Sequence, residues 1–520
     1  MLHALLFLAG LPAAMAAGPV VDCRPGSPPV QEVRELAEGI VAADNARDLD
    51  QRIPQLMAAA HVPGMSLVVI QNGGIVWHGN FGVADAATGA RVNDGTVFEA
   101  ASLSKPVFAY AVLKLAARGV IDLDAPLARY LREPYVEDAR ASLITARMVL
   151  GHTTGFPNWR SGKTLTVHFT PGERFSYSGE GYVYLQEVVE AITGKPADDV
   201  VRAEVFGPLG MTSSSYVWTP AYDQTSAVGH AFDGAAVPKG KPSTANAAAS
   251  LHTTALDYAR FVVAVVNGTG LERAPAAQML TSQVALDETC TNCLEARPKQ
   301  LSPALSWGLG WGLEKTPSGE AFWHWGDNGA FRCFVMASRA NRSGMVMFTN
   351  SVHGLALLDD VLELTVGGSH PASAWIKYDQ YDSPAKQFVY AVARDGAEKA
   401  IGEFRAAAAG KPGTEKQSAT GAGRPGLAGQ PDSAPISEDA LNSLGYQLLR
   451  TKRLDDAVRV FEWNVELYPR SWNVYDSLGE ALMERGDIEA AIRNYRKSLE
   501  LNPDNGGAVE KLKELTSRKR

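Results

Sequence analysis

Near its C-terminus the chain repeats itself at a step of 34 residues: Gly445 and Gly479, Ala457 and Ala491, Phe461 and Tyr495, Pro469 and Pro503 stand in register. The residues between them follow a helical apolar period. Small residues at fixed intervals let two helices cross closely, and a proline closing each unit stops the second helix. The segment is therefore restricted to stacked helical hairpins. Two such units bury too little apolar surface to stand alone, since arrays of this kind need roughly three. The missing surface is expected from residues 386–408, which also read as helical and suit a degenerate first unit or a cap.

Upstream, residues 405–436 are rich in Ala, Gly, Pro and Ser and lack any apolar period. That composition reads as a flexible linker, with a helical connector over 376–404 before it and the repeat module over 437–520 after it. A linker without apolar contacts predicts a tail, from about residue 435, that is separable from the rest. The stretch 17–375 is long enough for a core of its own. Strand-like and helix-like runs mix between residue 63 and about residue 368, which predicts a mixed α/β domain. Residues 65–71 and 75–81 read as strands joined through Asn72-Gly73, a hairpin signal because both residues tolerate positive φ.

Residues 5–17 are apolar and small, and Ala14-Met15-Ala16 offers a cleavage site before Ala17. This reads as a signal peptide over 1–16, so the mature chain is expected to be periplasmic or secreted. No later segment is apolar for long enough to span a membrane. Val20-Val21-Asp22 ahead of Cys23 is unlike the small-residue motif that precedes a lipidated cysteine. Four cysteines suit an oxidising compartment. Cys290 and Cys293 lack the second cysteine pair or nearby histidine that a zinc site needs, so a local disulfide is expected there, and neither metal nor cofactor is. Cys23 and Cys333 are candidates for a second bridge. A net charge of -8 gives no basic surface for phosphates, which excludes nucleic acid as an expected partner.

Ser102-Leu103-Ser104-Lys105 places a hydroxyl and an amine one helical turn apart on one face. The spacing recurs in Ser383-Pro384-Ala385-Lys386, where serine followed by proline reads as a helix N-cap. Context separates the two. Ser102 precedes an apolar run over 107–115, so its backbone N–H is expected at a helix N-terminus, where developing negative charge is stabilised. A hydroxyl becomes a good nucleophile when a base takes its proton, and a desolvated lysine of lowered pKa does that. Tyr177 lies in the turn-rich Glu173-Arg174-Phe175-Ser176-Tyr177-Ser178-Gly179, just before an apolar helix over 182–192. Beside a lysine, a phenol can work as acid and base. Trp323-His324-Trp325-Gly326-Asp327-Asn328-Gly329 supplies glycines that let a strand approach a ligand closely. Taken singly, Tyr177 and His324 read as a packed aromatic and a core histidine.

In this order and at these separations, the three motifs resemble the serine β-lactamase-related hydrolases: class C β-lactamases, penicillin-binding proteins, D-aminopeptidases, carboxypeptidases and related esterases. Phe98-Glu99-Ala100-Ala101 before the serine, Leu150-Gly151-His152-Thr153-Thr154-Gly155 and Ala255-Leu256-Asp257-Tyr258 are similar too, and the likeness covers roughly residues 40–370. The C-terminal units resemble the tetratricopeptide repeat, which implies recruitment of a protein partner. The resemblance implies an antiparallel sheet flanked by helices, set against a helical subdomain, with Ser102 at their boundary. It implies Ser102 as nucleophile, Lys105 and Tyr177 as the proton-transfer pair, and His324 and Gly326 lining the acyl site. The oxyanion donors would be the N–H groups of Ser102 and Asp327. His152 falls in a motif that is structural in the family.

Two positions depart from the lactamase pattern. Gly179 replaces an asparagine whose amide holds the substrate's acyl side chain, and His324 replaces a lysine that meets its carboxylate, with Arg332 a candidate for the missing charge. The expected function is acyl-serine hydrolysis of a peptide, amide, ester or β-lactam bond in a small-molecule or peptide substrate, with β-lactams disfavoured. The alternative is a catalytically silent penicillin-binding-protein-like receptor that recruits a partner through its repeats.

Overall fold

A computed structural model describes residues 43–160, 162–271, 274, 276–295, 300–317, 319–409 and 436–517. The expected signal peptide, Cys23 and most of the expected linker lie outside these residues.

Nine antiparallel strands form the central sheet: β1 (Gly64–Gln71), β2 (Gly74–Asp85), β3 (Ala90–Arg91), β4 (Val284–Asp287), β5 (Leu301–Trp307), β6 (Gly312–Thr316), β7 (Gly319–Asp327), β8 (Arg332–Ser338) and β9 (Ser343–Thr349), in the order β3-β2-β1-β9-β8-β7-β6-β5-β4. The β1–β2 turn falls at Asn72-Gly73, both at positive φ, 52° and 74°. Every residue of β1 is buried because helices cover both faces of the sheet. Alternation then sorts the side chains. Met65, Leu67 and Val69, with Met345 and Met347 of β9, meet Leu49, Ile53 and Met57 of α1 (Ala43–Ala59). Val68, Ile70, Val346 and Phe348 point the other way, into a larger core with α2 (Ser104–Ala117), α3 (Gly179–Thr193) and α4 (Ala255–Asn267). This is the mixed α/β arrangement expected from the sequence.

Beyond the sheet the chain is helical: α5 (Pro384–Asp395), α6 (Ala397–Ala409), α7 (Glu438–Arg450), α8 (Leu454–Leu467), α9 (Trp472–Arg485), α10 (Ile488–Leu501) and α11 (Gly506–Ser517). Ser383 caps α5, its Oγ accepting the Lys386 N–H at 3.2 Å, so the second Ser-x-x-Lys is a helix start. The 34-residue register has a packing cause. A Cβ on Gly445 would sit 2.3 Å from the Phe461 ring, and one on Gly479 would sit 3.2 Å from Tyr495.

Two expectations, the linker bounds and a tail without contacts, need correction. Helix α6 continues to Ala409, past the expected connector boundary at 404, because a run of alanines favours helix even where its composition reads as linker. Ile436, also assigned to the linker, is buried in the helical core. The tail also packs on the sheet domain instead of standing apart from it. Phe388, Val392 and Ile401 of α5 and α6 share one core with Leu441, Val458, Phe461 and Trp463, and that core reaches Phe232 and Val352 of the sheet domain. Arg453 donates to the Val392 carbonyl at 2.8 Å and lies 5.5 Å over the Phe232 ring. Tyr390 packs against His61, ring centres 4.4 Å apart, and donates to the Ala60 carbonyl. Thus α5 and α6 supply the surface that two repeats lack. Cys333 is buried, its Sγ donating to the Ala100 carbonyl at 3.1 Å, while its candidate partner Cys23 lies outside the described residues.

Among the described residues, no helix is long and apolar enough to cross a membrane, and no cluster of His, Cys, Asp and Glu is arranged to hold a metal ion.

Candidate active site

Ser102 sits in a 3-10 turn, Ala101–Leu103, that runs directly into α2. Ala101 is held at φ 48°, a left-handed conformation that costs a residue with a Cβ roughly 1–2 kcal/mol and persists only where neighbours enforce it. They do. The Ala100 N–H donates to the Leu251 carbonyl, Ser104 Oγ bridges the Ala101 carbonyl and the Leu251 N–H, and the Tyr258 and Tyr216 hydroxyls donate to the carbonyls of Leu103 and Ser104. Strand β7 packs against this turn at Gly326, where a Cβ would meet the Ala100 carbonyl oxygen and Cys333 Sγ, both at 2.4 Å. The glycine of the third motif is thus a condition for bringing β7 beside Ser102.

One turn along α2, Lys105 is fully buried. Its Nζ donates to Ser102 Oγ at 3.0 Å and to the Ala248 carbonyl at 2.7 Å, and lies 4.8 Å over the Tyr177 ring. No carboxylate pairs with it among the described residues, so burial alone lowers its pKa to about 7.

Tyr177 is fixed by its backbone neighbours. Ser176 N–H donates to the His152 carbonyl, Ser178 N–H donates to His152 Nδ1 at 3.0 Å, and Tyr177 N–H donates to the Thr291 carbonyl at 3.0 Å. Burial pushes its phenol pKa well up, with the Ser102 side chain pulling the other way. Its hydroxyl completes no hydrogen bond within the described residues. Thr291 lies inside the Cys290–Cys293 disulfide, which forms as expected and whose loop is clasped by Arg174 through the Cys293 and Leu294 carbonyls.

The third motif is only partly open. His324 has no exposed surface, and its Nδ1 lies 2.7 Å from the Trp325 carbonyl. Burial, and next the Lys105 charge, lower its pKa to about 3, so it is neutral and supplies no cation. Trp325 and Asp327 are the partly exposed residues at this end of β7. The Asp327 carboxylate accepts from the Tyr378 hydroxyl at 2.6 Å and the Gly329 N–H at 2.7 Å, and pairs with Arg332 at 3.1 Å. Arg332 is therefore engaged by Asp327 rather than standing free as the missing charge.

The structure thus brings Ser102, Lys105, Tyr177, His324, Gly326 and Asp327 into one region. Sequence reasoning undervalued His152, whose ring stacks on Tyr177 at 4.3 Å, and missed Trp159, which overhangs Gly179. Trp159 has no local sequence signal, and the motif around His152 does not reveal its contact, since both act across loops.

A covered antiparallel sheet with a buried lysine against a helix-opening serine defines a β-lactamase-fold protein of hydrolase type. Residues 49–402 match the β-lactamase family, and the chain belongs to that family; residues 472–505 match the tetratricopeptide repeat. Among relatives, esterase EstB of Burkholderia gladioli is 32% identical over 34% of this chain and 53% of its own length. Penicillin-binding protein 4* of Bacillus subtilis is 28% identical over 33% and 42%. The matches thus span about half the length of these relatives. Penicillin-binding protein 4 of Amycolatopsis lactamdurans is 25% identical over 61% of this chain and 88% of its own. A class C β-lactamase mutant shares the fold, with a TM-score of 0.53 at 18% identity, over 65% of this chain and 99% of that one. The octameric penicillin-binding protein homologue of Pyrococcus abyssi does likewise, with a TM-score of 0.53 at 21% identity, over 63% and 78%.

Proposed function

We propose that this chain is an exported serine hydrolase that forms an acyl-enzyme on Ser102 and acts on esters or peptide-like amides. The observation that carries this reading is the Lys105 Nζ to Ser102 Oγ contact of 3.0 Å at a buried amine whose pKa is brought to about 7. Near neutral pH a large share of that amine is unprotonated and able to act as a base.

Neutral Lys105 takes the Ser102 proton as Oγ attacks the substrate carbonyl carbon. The carbonyl electron pair moves onto oxygen, held by the N–H groups of Ser102 and Asp327. On collapse, the bond to the leaving group breaks and Tyr177 hands that group a proton, itself resupplied by Lys105. Water then attacks the acyl-serine with the same proton relay, releasing the acid and restoring Ser102. Neutral His324 and engaged Arg332 offer no free cation to a substrate carboxylate, which disfavours β-lactams. Relatives named as esterase and penicillin-binding proteins support carbonyl chemistry of this class.

Export to the periplasm or medium is supported by the apolar N-terminal stretch and by the Cys290–Cys293 disulfide. The repeats would recruit a protein partner beside the hydrolase. A fluorophosphonate probe tests the reading: it should label the chain covalently, Ser102→Ala should abolish labelling, and Ser383→Ala should leave it. No labelling of the unmodified chain, or labelling lost only in Ser383→Ala, overturns it.

A further inference from the structure

We infer that Trp159 sets specificity on the acyl side of this site: its indole occupies the space a side chain at position 179 would fill and selects substrates with a flat, apolar acyl group. The inference rests on the acyl-serine reading above and adds the substrate class to it.

Gly179 opens α3, two residues past Tyr177. A Cβ there would lie 2.8 Å from Trp159 Cη2, 2.9 Å from Cζ2 and 2.9 Å from the Asn158 carbonyl oxygen. Atoms of these kinds do not approach so closely, so position 179 stays bare while the indole stands where it does. The backbone on both sides of Trp159 is tied to the first turn of α3. The N–H groups of Gly179 and Glu180 both donate to the Asn158 carbonyl at 3.0 Å, and Gly179 N–H also reaches Asn158 Oδ1 at 3.0 Å. On the other side, Arg160 gives its backbone N–H to Glu180 Oε1 at 3.0 Å and its guanidinium to Oε2 at 2.6 and 2.9 Å, with Nη2 also donating to the Tyr135 hydroxyl. Glu180, the carboxylate of this clamp, is buried, and Arg160 is half-buried.

Between these anchors the indole remains 47% exposed, one of few large apolar side chains left so. An aromatic face on a fixed backbone, beside the tyrosine motif, is prepared for stacking. An amide side chain at 179 would hydrogen-bond an acyl-side amide. The benzo edge of an indole offers no such bond, and instead favours flat aryl groups.

The test measures kcat/KM of the full chain, Trp159→Ala and Trp159→Phe for p-nitrophenyl phenylacetate and p-nitrophenyl acetate. The phenylacetate-to-acetate ratio should fall at least about tenfold in Trp159→Ala, chiefly through KM, and by less than about threefold in Trp159→Phe. An unchanged ratio, or equal losses on both esters, overturns the inference. A second readout is independent of turnover: Gly179→Ala should lower the melting temperature of the unmodified chain and do so measurably less in Trp159→Ala, where only the Asn158 carbonyl contact remains. Equal destabilisation in both backgrounds overturns the packing argument. Absent fluorophosphonate labelling of Ser102 would overturn the acyl-serine reading instead, and leaves the melting comparison to judge whether Trp159 excludes a side chain at 179.

Discussion

His152 holds Tyr177 from two sides: its ring stacks on the phenol at 4.3 Å while its carbonyl and Nδ1 take the N–H groups of Ser176 and Ser178. Burial, and next the Lys105 charge, keeps its pKa well below the usual histidine range, so Nδ1 stays an acceptor.

Removing that imidazole leaves a buried N–H unpaired and the phenol loose. His152→Ala is expected to cost roughly 1–3 kcal/mol of stability from the unpaired donor alone. On the proposed mechanism, in which Tyr177 moves protons rather than binding substrate, it should lower kcat more than it raises KM. Urea unfolding and ester kinetics check both, and a variant with full kcat would show that Tyr177 does not need this support.

The Lys105 pKa of about 7 sets a pH dependence. A protonated amine cannot accept the Ser102 proton, so kcat/KM should rise with pH through about 7 and level off above it. The same shift acts on stability. Between about 7 and the ordinary lysine value of 10.5 the unfolded chain binds the extra proton, so stability rises with pH across that window. Lys105→Met should abolish turnover and raise stability at neutral pH by on the order of 1–4 kcal/mol. A rate profile with no limb between pH 6 and 8 would argue against Lys105 as the base.

The Thr291 carbonyl reaches Tyr177 from inside a disulfide-closed loop. Opening that loop with Cys290→Ser and Cys293→Ser should leave the fold cooperative while lowering kcat by about three- to thirtyfold, the cost of loosening one hydrogen bond. Equal kcat with and without the disulfide would show that the loop is held by Arg174 alone.

For β-lactams, the missing amide and the missing cation should lower kcat/KM by about 10- to 10⁴-fold relative to a dedicated lactamase. Nitrocefin against p-nitrophenyl butyrate checks this. Gly179→Asn alone should not restore lactam turnover, since Trp159 fills the space; a strong gain from that single change would contradict the packing.

Ending the chain at residue 410 should expose Phe388, Val392 and Ile401. Lower yield of monomer and a lower melting temperature are expected, read by gel filtration and thermal unfolding. A truncated chain as stable as the full one would mean that α7 to α11 add nothing to the sheet domain.

The sheet, the meeting of Ser102 with Lys105 and the repeats are legible because their signals are local. Asn72-Gly73 can make only a few kinds of turn, Ser102 and Lys105 meet within one helical turn, and Gly445 and Gly479 each answer an aromatic ring one helix away. What was not legible depends on contacts across loops. Nothing near His152 reveals that it takes an N–H 26 residues on, and nothing near Gly179 names Trp159 as the group that keeps it bare. The apolar face of α5 reads the same whether it covers its own domain or a neighbour, so the sequence does not reveal that Phe388 packs on Trp463, 4.8 Å between ring centres.

That shared core has a consequence for chain continuity. Helix α6 and Ile436, on either side of the stretch 410–435, are both anchored in it. A single protease cut between them should therefore leave one particle of two fragments, joined by Phe388, Trp463, Arg453 and their neighbours, much as a ligand stays in its receptor. The nicked protein should migrate as intact in native gels and fall into two bands only under denaturant, and the fragments, made separately, should find each other.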